Sequence, residues 1–248
     1  MAMSPAQRSF ARKMATVVAS SAVATLGGAQ GPSNAGAASA YELQLAELGS
    51  RLLELKQIQS IELKIARKRE LIADFDPWVA GVLDAHKAGA PAVQDEVLLV
   101  MMIWALDIED YDRALPLVMY VLTNHLALPE RYTRTAPTLI AEESANAALQ
   151  HLGQGEPVHL PWLQLVDELT ADADMHDQVR AKLHKAIALA VLRDAEEAEK
   201  LGDGPAGGWK AAGTAALTML KSALRLNSNI GVKKTIENVE RKLNALAG

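Results

Sequence analysis

Apolar residues return at alternating spacings of three and four through Leu45, Leu48, Leu52 and Leu55, the stripe of a helix that meets a partner along one seam. At 100° per residue the next set, Ile58, Ile61, Ile65 and Ile72, falls on a stripe turned by roughly 120°. The stretch 41–73 holds no proline and a single glycine, so the pattern predicts one long helix that changes partners halfway. Further on, Asp76-Pro77 opens a helix through Trp78, Val79, Val82 and Leu83 that ends at Gly89 to Pro91. The nearly continuous apolar run from Gln94 to Leu106 predicts a helix buried on most sides, the centre of the core. A second helix, Asp110 to Leu126, turns Tyr111, Ala114, Leu115, Val118 and Leu122 inward despite Pro116, and the pair forms an antiparallel hairpin. Helices over about 138–152, 161–169 and 175–201 follow, then two more between Trp209 and Leu246 split at about 227–229. The pattern Trp209, Gly213, Ala216, Leu217, Leu220, Ala223, Leu224 resembles one tetratricopeptide-type hairpin.

Composition agrees with this pattern. Ala, Leu, Glu, Lys and Arg dominate and only ten residues are aromatic, which predicts an all-α fold: a long N-terminal helix, a multi-helix bundle of αα hairpins and a tetratricopeptide-like C-terminal hairpin. The expected divisions are a basic arm and flexible linker at 1–40, the long helix at 41–75, a helical core at 76–201 and the C-terminal hairpin at 202–248. Within the arm, Ser4-Pro5 reads as the cap of a short amphipathic helix over 5–26, and this start outweighs the likeness of Arg8, Arg12 and Lys13 before an Ala/Ser/Thr-rich stretch to a secretion signal. The charge-free stretch 27–40 reads as a linker. No run of eighteen apolar residues predicts a membrane span. The absence of cysteine excludes disulfides, thiol catalysis and cysteine-based zinc sites.

Charge divides the chain. Residues 1–73 carry nine Lys/Arg against five acids, net +4, and residues 74–248 carry sixteen against twenty-five, net −9. A basic front end suits contact with a polyanion and an acidic body suits protein partners. Lys64, Arg67, Lys68 and Arg69 supply four cations within six residues, and Lys56 lies two turns earlier; on one continuous helix Lys56, Lys64 and Arg67 share a face. The plainer reading of the cluster is a solvated helix end, with Glu62 and Glu70 among its cations.

Catalytic patterns are sparse. Asp107, Glu109, Asp110 and Asp112 begin like a calcium loop, but Asp112 stands at the required glycine and Val118 at the closing glutamate, so a capping turn is the better reading. Asp172, Asp174 and His176 are a candidate divalent-metal group of the kind a nuclease uses, set against the ordinary preference for acids at a helix N-terminus. His176 and His184 lie over 10 Å apart along a helix and cannot share a metal unaided. Glycine-rich phosphate loops, HExxH and nucleophile-elbow patterns are absent, so the chain carries no recognisable ATPase machinery.

Six stretches in order along most of the chain, SPAQR at 4–8, ARKREL at 66–71, PWVAGVL at 77–83, QDEVLLVMMIWALDIEDYDRAL from Gln94, RTAP at 134–137 and DQVRAKLHK at 177–185, resemble the small-subunit terminase family of P2-like tailed phages. The chain departs from that pattern in its linker at 27–40 and in ending without the long basic tail of some relatives. The resemblance implies a DNA-packaging protein of the host cytoplasm. Such a subunit binds viral double-stranded DNA at the cohesive-end region, assembles as a homo-oligomer, often a ring, and delivers the DNA to a large terminase subunit that holds ATP, Mg²⁺ and the main nuclease. The family is often labelled an endonuclease subunit, but no catalytic centre stands out in this chain, so no cofactor or metal is expected on it. Combined with the residue patterns, the expectation is that Leu45, Leu48, Leu52 and Leu55 assemble protomers. Lys56, Lys64, Arg67, Lys68 and Arg69, with Arg8, Arg12 and Lys13 on the arm, engage phosphates, and the acidic C-terminal helices dock the large subunit. If both the leucine stripe and the isoleucine stripe pack into the same protomer, the seam reading fails. The rival readings are a helical adaptor that binds no nucleic acid and a metal-dependent endonuclease using Asp172, Asp174 and His176.

Overall fold

A computed structural model describes residues 34–202 and 208–246, with side chains from Ala40 onward. All regular structure among the described residues is helical, and none of these helices is long and apolar enough to cross a membrane. The chain divides between Thr133 and Arg134 into two compact units, a boundary that falls inside the 76–201 stretch expected to be one core.

The first unit contains α1 (Asn34–Gln57), α2 (Ile61–Leu71), a 3₁₀ turn (Ile72–Phe75), α3 (Asp76–Lys87), α4 (Glu96–Asp107) and α5 (Tyr111–Thr123). The predicted single helix over 41–73 is therefore two helices. Ser60 sits in an extended conformation at the start of α2, and its hydroxyl accepts the Leu63 amide at 3.4 Å. A serine that can satisfy an orphan amide, followed by Glu62 in the first turn, makes a new helix start cheaper than continuing the old one. At the other end α1 begins at Asn34, so part of the expected linker is helical, in keeping with the alanine content of 35–40.

Helix α4 is the centre of this unit, as its pattern predicts: every residue from Val97 to Leu106 is buried. Asp95 caps it by accepting the Leu98 amide at 2.9 Å and also accepts Trp78 Nε1 at 2.8 Å. Burial pushes the Asp95 carboxyl above its ordinary range, against the pull of these two hydrogen bonds. Tyr41 of α1 stacks on Trp78 at 5.8 Å and accepts the Glu96 amide at 3.0 Å, which fastens the start of α1 to the N-terminus of α4. Its hydroxyl is pushed up to about 12, mainly by burial and then by Asp95. Phe75 meets Trp104 edge-on at 6.2 Å. On α5 the inner residues are Ala114, Leu117, Val118 and Val121, while Leu115, expected inside, is 37% exposed.

The second unit contains α6 (Ala136–Gln154), α7 (Leu160–Leu169), α8 (Asp177–Leu201), α9 (Gly208–Leu226) and α10 (Lys233–Ala245). Helix α8 packs against α6, α7 and α9, and α10 folds back on α9. Gly155 ends α6 in a left-handed conformation (φ 76°), which favours glycine. Trp162 Nε1 donates to Ser144 Oγ at 2.9 Å between α7 and α6. Ala188, Leu192, Trp209, Ala216, Leu220, Val232, Ile236 and Val239 form the core beneath the C-terminal hairpin. Gly213 is fixed by this packing: a Cβ there would lie 2.9 Å from the Trp209 ring, closer than van der Waals contact allows.

Candidate nucleic-acid interface

Of the basic residues of α2, Arg67 and Lys68 are drawn against acids of their own unit. This helix buries only Leu71 of its eleven residues, so apolar packing holds it weakly. Arg67 Nε donates to Glu54 Oε1 of α1 at 2.5 Å, and its NH1 donates to Glu70 Oε2 at 2.5 Å. Lys68 pairs with Asp107 at the end of α4, and Arg69 donates to the Ile108 carbonyl at 3.3 Å. The hydrogen bond from Arg67 holds the Glu54 carboxyl below its ordinary range, with burial opposing and Arg51 assisting, and Glu54 and Glu70 in turn raise Arg67. Three of the five described residues expected to meet phosphate are thus engaged within the protomer. Lys56 and Lys64 have no ion-pair partner among the described residues, and the joint at 58–60 puts them on different helices. Arg8, Arg12 and Lys13 lie outside the described residues.

The expected assembly stripe is divided. Leu48 and Leu55 are buried at 2% and 5% exposure inside their own unit. Leu45 and Leu52 are half-buried. Among the described residues of this unit the most exposed large apolar side chains are instead Leu43 and Leu53, on α1 away from that stripe, and Ile61 and Leu63 at the start of α2.

The acidic groups have other partners or none nearby. Asp107 holds Lys68, and Asp110 caps α5 by accepting the Arg113 amide and Nε, both at 3.1 Å. Asp172, Asp174 and His176 are all exposed around the turn before α8, and among the described residues no three His, Asp or Glu side chains are gathered to hold a metal ion. His184 lies between Asp167 Oδ1 at 3.2 Å and Ser222 Oγ at 3.1 Å, linking α7, α8 and α9. Arg180 also reaches Asp167 at 3.2 Å. Burial raises the Asp167 carboxyl, but His184 and Arg180 together outweigh it and hold the group below its ordinary range. This arrangement is a structural tether between helices.

The expectation of acidic C-terminal helices is wrong in sign. Residues 208–248 carry seven Lys/Arg and two acids, net +5, and the acid excess lies in 74–207, with nine Lys/Arg against twenty-three acids. Helix α9 has no acid at all, and its Lys210, Lys221 and Arg225 are exposed. Counting charge helix by helix would have found this; summing over 74–248 cancelled it.

A family model described as phage small terminase subunit matches residues 45–178, a span that includes α2 and stops at the start of α8. The chain is 40% identical over 240 residues to the "Terminase, endonuclease subunit" of Escherichia phage P2, covering 97% of this chain and 85% of that protein. It is 29% identical over 172 residues to the "Probable terminase, endonuclease subunit" of Haemophilus phage HP1 (strain HP1c1), covering 68% of this chain and 59% of that protein. No solved structure matches.

Proposed function

The chain belongs to the phage small terminase subunit family, and from that premise we propose that it binds viral DNA at the packaging site and delivers it to the large terminase subunit. The observation that carries this reading is the 40% identity to a terminase subunit across 97% of the chain. Among the described cations of the front end, Lys56 and Lys64 beside the α1–α2 joint have neither an ion pair nor a side-chain hydrogen bond to hold them, which leaves them to exchange counterions for phosphates, together with Arg8, Arg12 and Lys13 of the arm. ATP and Mg²⁺ belong to the large subunit, and the work is done in the host cytoplasm. Assembly into a homo-oligomeric ring would draw on Leu45 and Leu52 together with the exposed Leu43, Leu53, Ile61 and Leu63.

A gel shift across a salt series, with cohesive-end and unrelated duplexes, tests the reading. The wild-type protein should bind, and Lys56→Gln with Lys64→Gln should make the slope of log K against log salt shallower by roughly 2. No binding to either duplex at low salt overturns it. The names of the two relatives, both terminase endonuclease subunits, favour a second reading, cleavage by this subunit itself. Nicking by the purified protein with Mg²⁺ or Mn²⁺, lost on Asp172→Asn with Asp174→Asn, would establish that activity.

A further inference from the structure

We infer that the C-terminal hairpin is a second duplex-DNA surface, built on the exposed cations Lys210, Lys221, Arg225, Lys233 and Lys234. The inference rests on the DNA-binding reading above and extends it to a region outside the family-model match.

At 100° per residue Lys210, Lys221 and Arg225 fall within about 60° of one another on α9, opposite the face that carries Trp209, Ala216 and Leu220 into the core. From Lys210 to Arg225 the stripe runs about 22 Å, the rise of roughly six base pairs. Between these cations Thr214 and Thr218 are exposed, and their hydroxyls donate to the carbonyls of Lys210 at 2.8 Å and Thr214 at 3.1 Å, so they add no competing charge. Lys221 is shared with Glu240 of α10 at 2.7 Å, which ties the stripe to the neighbouring helix. Lys210, Arg225, Lys233 and Lys234 have no ion-pair partner among the described residues, in contrast to Arg67 and Lys68 of α2.

Folding does not account for these charges. Helix α10 opens on Lys233 and Lys234 with no acid in its first turn, which places two cations at the end of the helix dipole that repels them. The hairpin is held by its apolar core beneath, and the outer faces of α9 and α10 carry none of the large exposed apolar residues, which in this unit are Leu201 and Leu246 at the margins. A protein partner would require apolar anchors at the centre of its contact, whereas a phosphate backbone requires only accessible cations. Phosphate contacts of this kind grip DNA without reading its sequence.

The test uses the full chain with Lys210→Gln, Arg225→Gln, Lys233→Gln and Lys234→Gln combined, titrated with a fluorescent random-sequence duplex across salt, with helical content checked by circular dichroism. The expected result is a slope of log K against log salt shallower by about 2 to 4, with helical content unchanged. A charge-preserving variant, Lys210→Arg with Lys233→Arg and Lys234→Arg, should keep the wild-type slope. If the wild type binds duplex and the four-fold variant binds with the same slope, the inference is overturned while the DNA-binding reading stands. An unchanged slope with a reduced solution mass would assign the surface to the acidic 74–207 region of a second copy, and also overturns it. A wild-type protein that binds no duplex at low salt removes the DNA-binding reading itself, and this inference with it.

Discussion

Helix α2 sets four cations in six residues, two of which, Arg67 and Lys68, pair with Glu54, Glu70 and Asp107, whereas the α9–α10 hairpin spreads its cations over two helices that carry only Glu237 and Glu240. The pairs made by Arg67 and Lys68 hold α2 in place, because it has little apolar surface buried to do so. The second is relieved of that task by Trp209, Leu220, Ile236 and Val239, which fix the hairpin from within. Cation density along a chain is therefore a poor measure of charge available to a ligand. What decides it is whether the segment has another means of attachment.

The comparison predicts separate responses. The largest belongs to the hairpin core: Leu220→Ala, at a fully buried site, should cost about 3 to 5 kcal/mol in a denaturant titration and expose α9 amides to hydrogen exchange while those of α2 stay as they are. Equal loosening of α2 would show that the two regions are not independently held. A smaller effect is expected from Asp107→Asn, which frees Lys68. Stability should fall by only about 1 kcal/mol, while the salt slope of DNA binding steepens by roughly 0.9 as one more cation becomes available. A slope that stays constant would mean Lys68 faces away from any phosphate. The smallest effect is local and acid-dependent. Because Arg67 holds Glu54 below its ordinary range, that attachment is present above the ordinary carboxylate value and is lost as pH falls through the value in the folded protein. The protection of α2 amides, taken relative to their intrinsic exchange rates at each pH, should fall as pH drops below the ordinary carboxylate range, before that of the Leu220 region. Simultaneous loosening of both would remove the distinction.

Much of the helical plan was legible because local signals and burial agree. Asp95 and Asp110 are both caps and boundaries of apolar runs, so α4 and α5 start where their chemistry says they should. The α1–α2 joint was not legible, since Ser60 is a single residue in an otherwise helix-favouring stretch and only the tertiary packing on either side decides between a bend and continuity. On α5 the pattern put Leu115 inside, whereas Leu117 is the buried one and Leu115 is 37% exposed. The partners of the basic cluster were hidden for a different reason. Lys68 and Asp107 are 39 positions apart, and no local rule pairs them. At the C-terminus the information was present in the residues, but an average over a long acidic stretch concealed a basic hairpin.

The close approach at Gly213 restricts how this hairpin can drift in sequence. Any replacement for Gly213 must displace the Trp209 ring, against which Lys242 rests at 3.9 Å while pairing with Glu199 of α8 at 2.6 Å. The outer cations can be exchanged one at a time with little structural penalty, so a lineage can retune the charge of this surface freely. At the hydrogen atom that serves as the Gly213 side chain it has almost no such freedom.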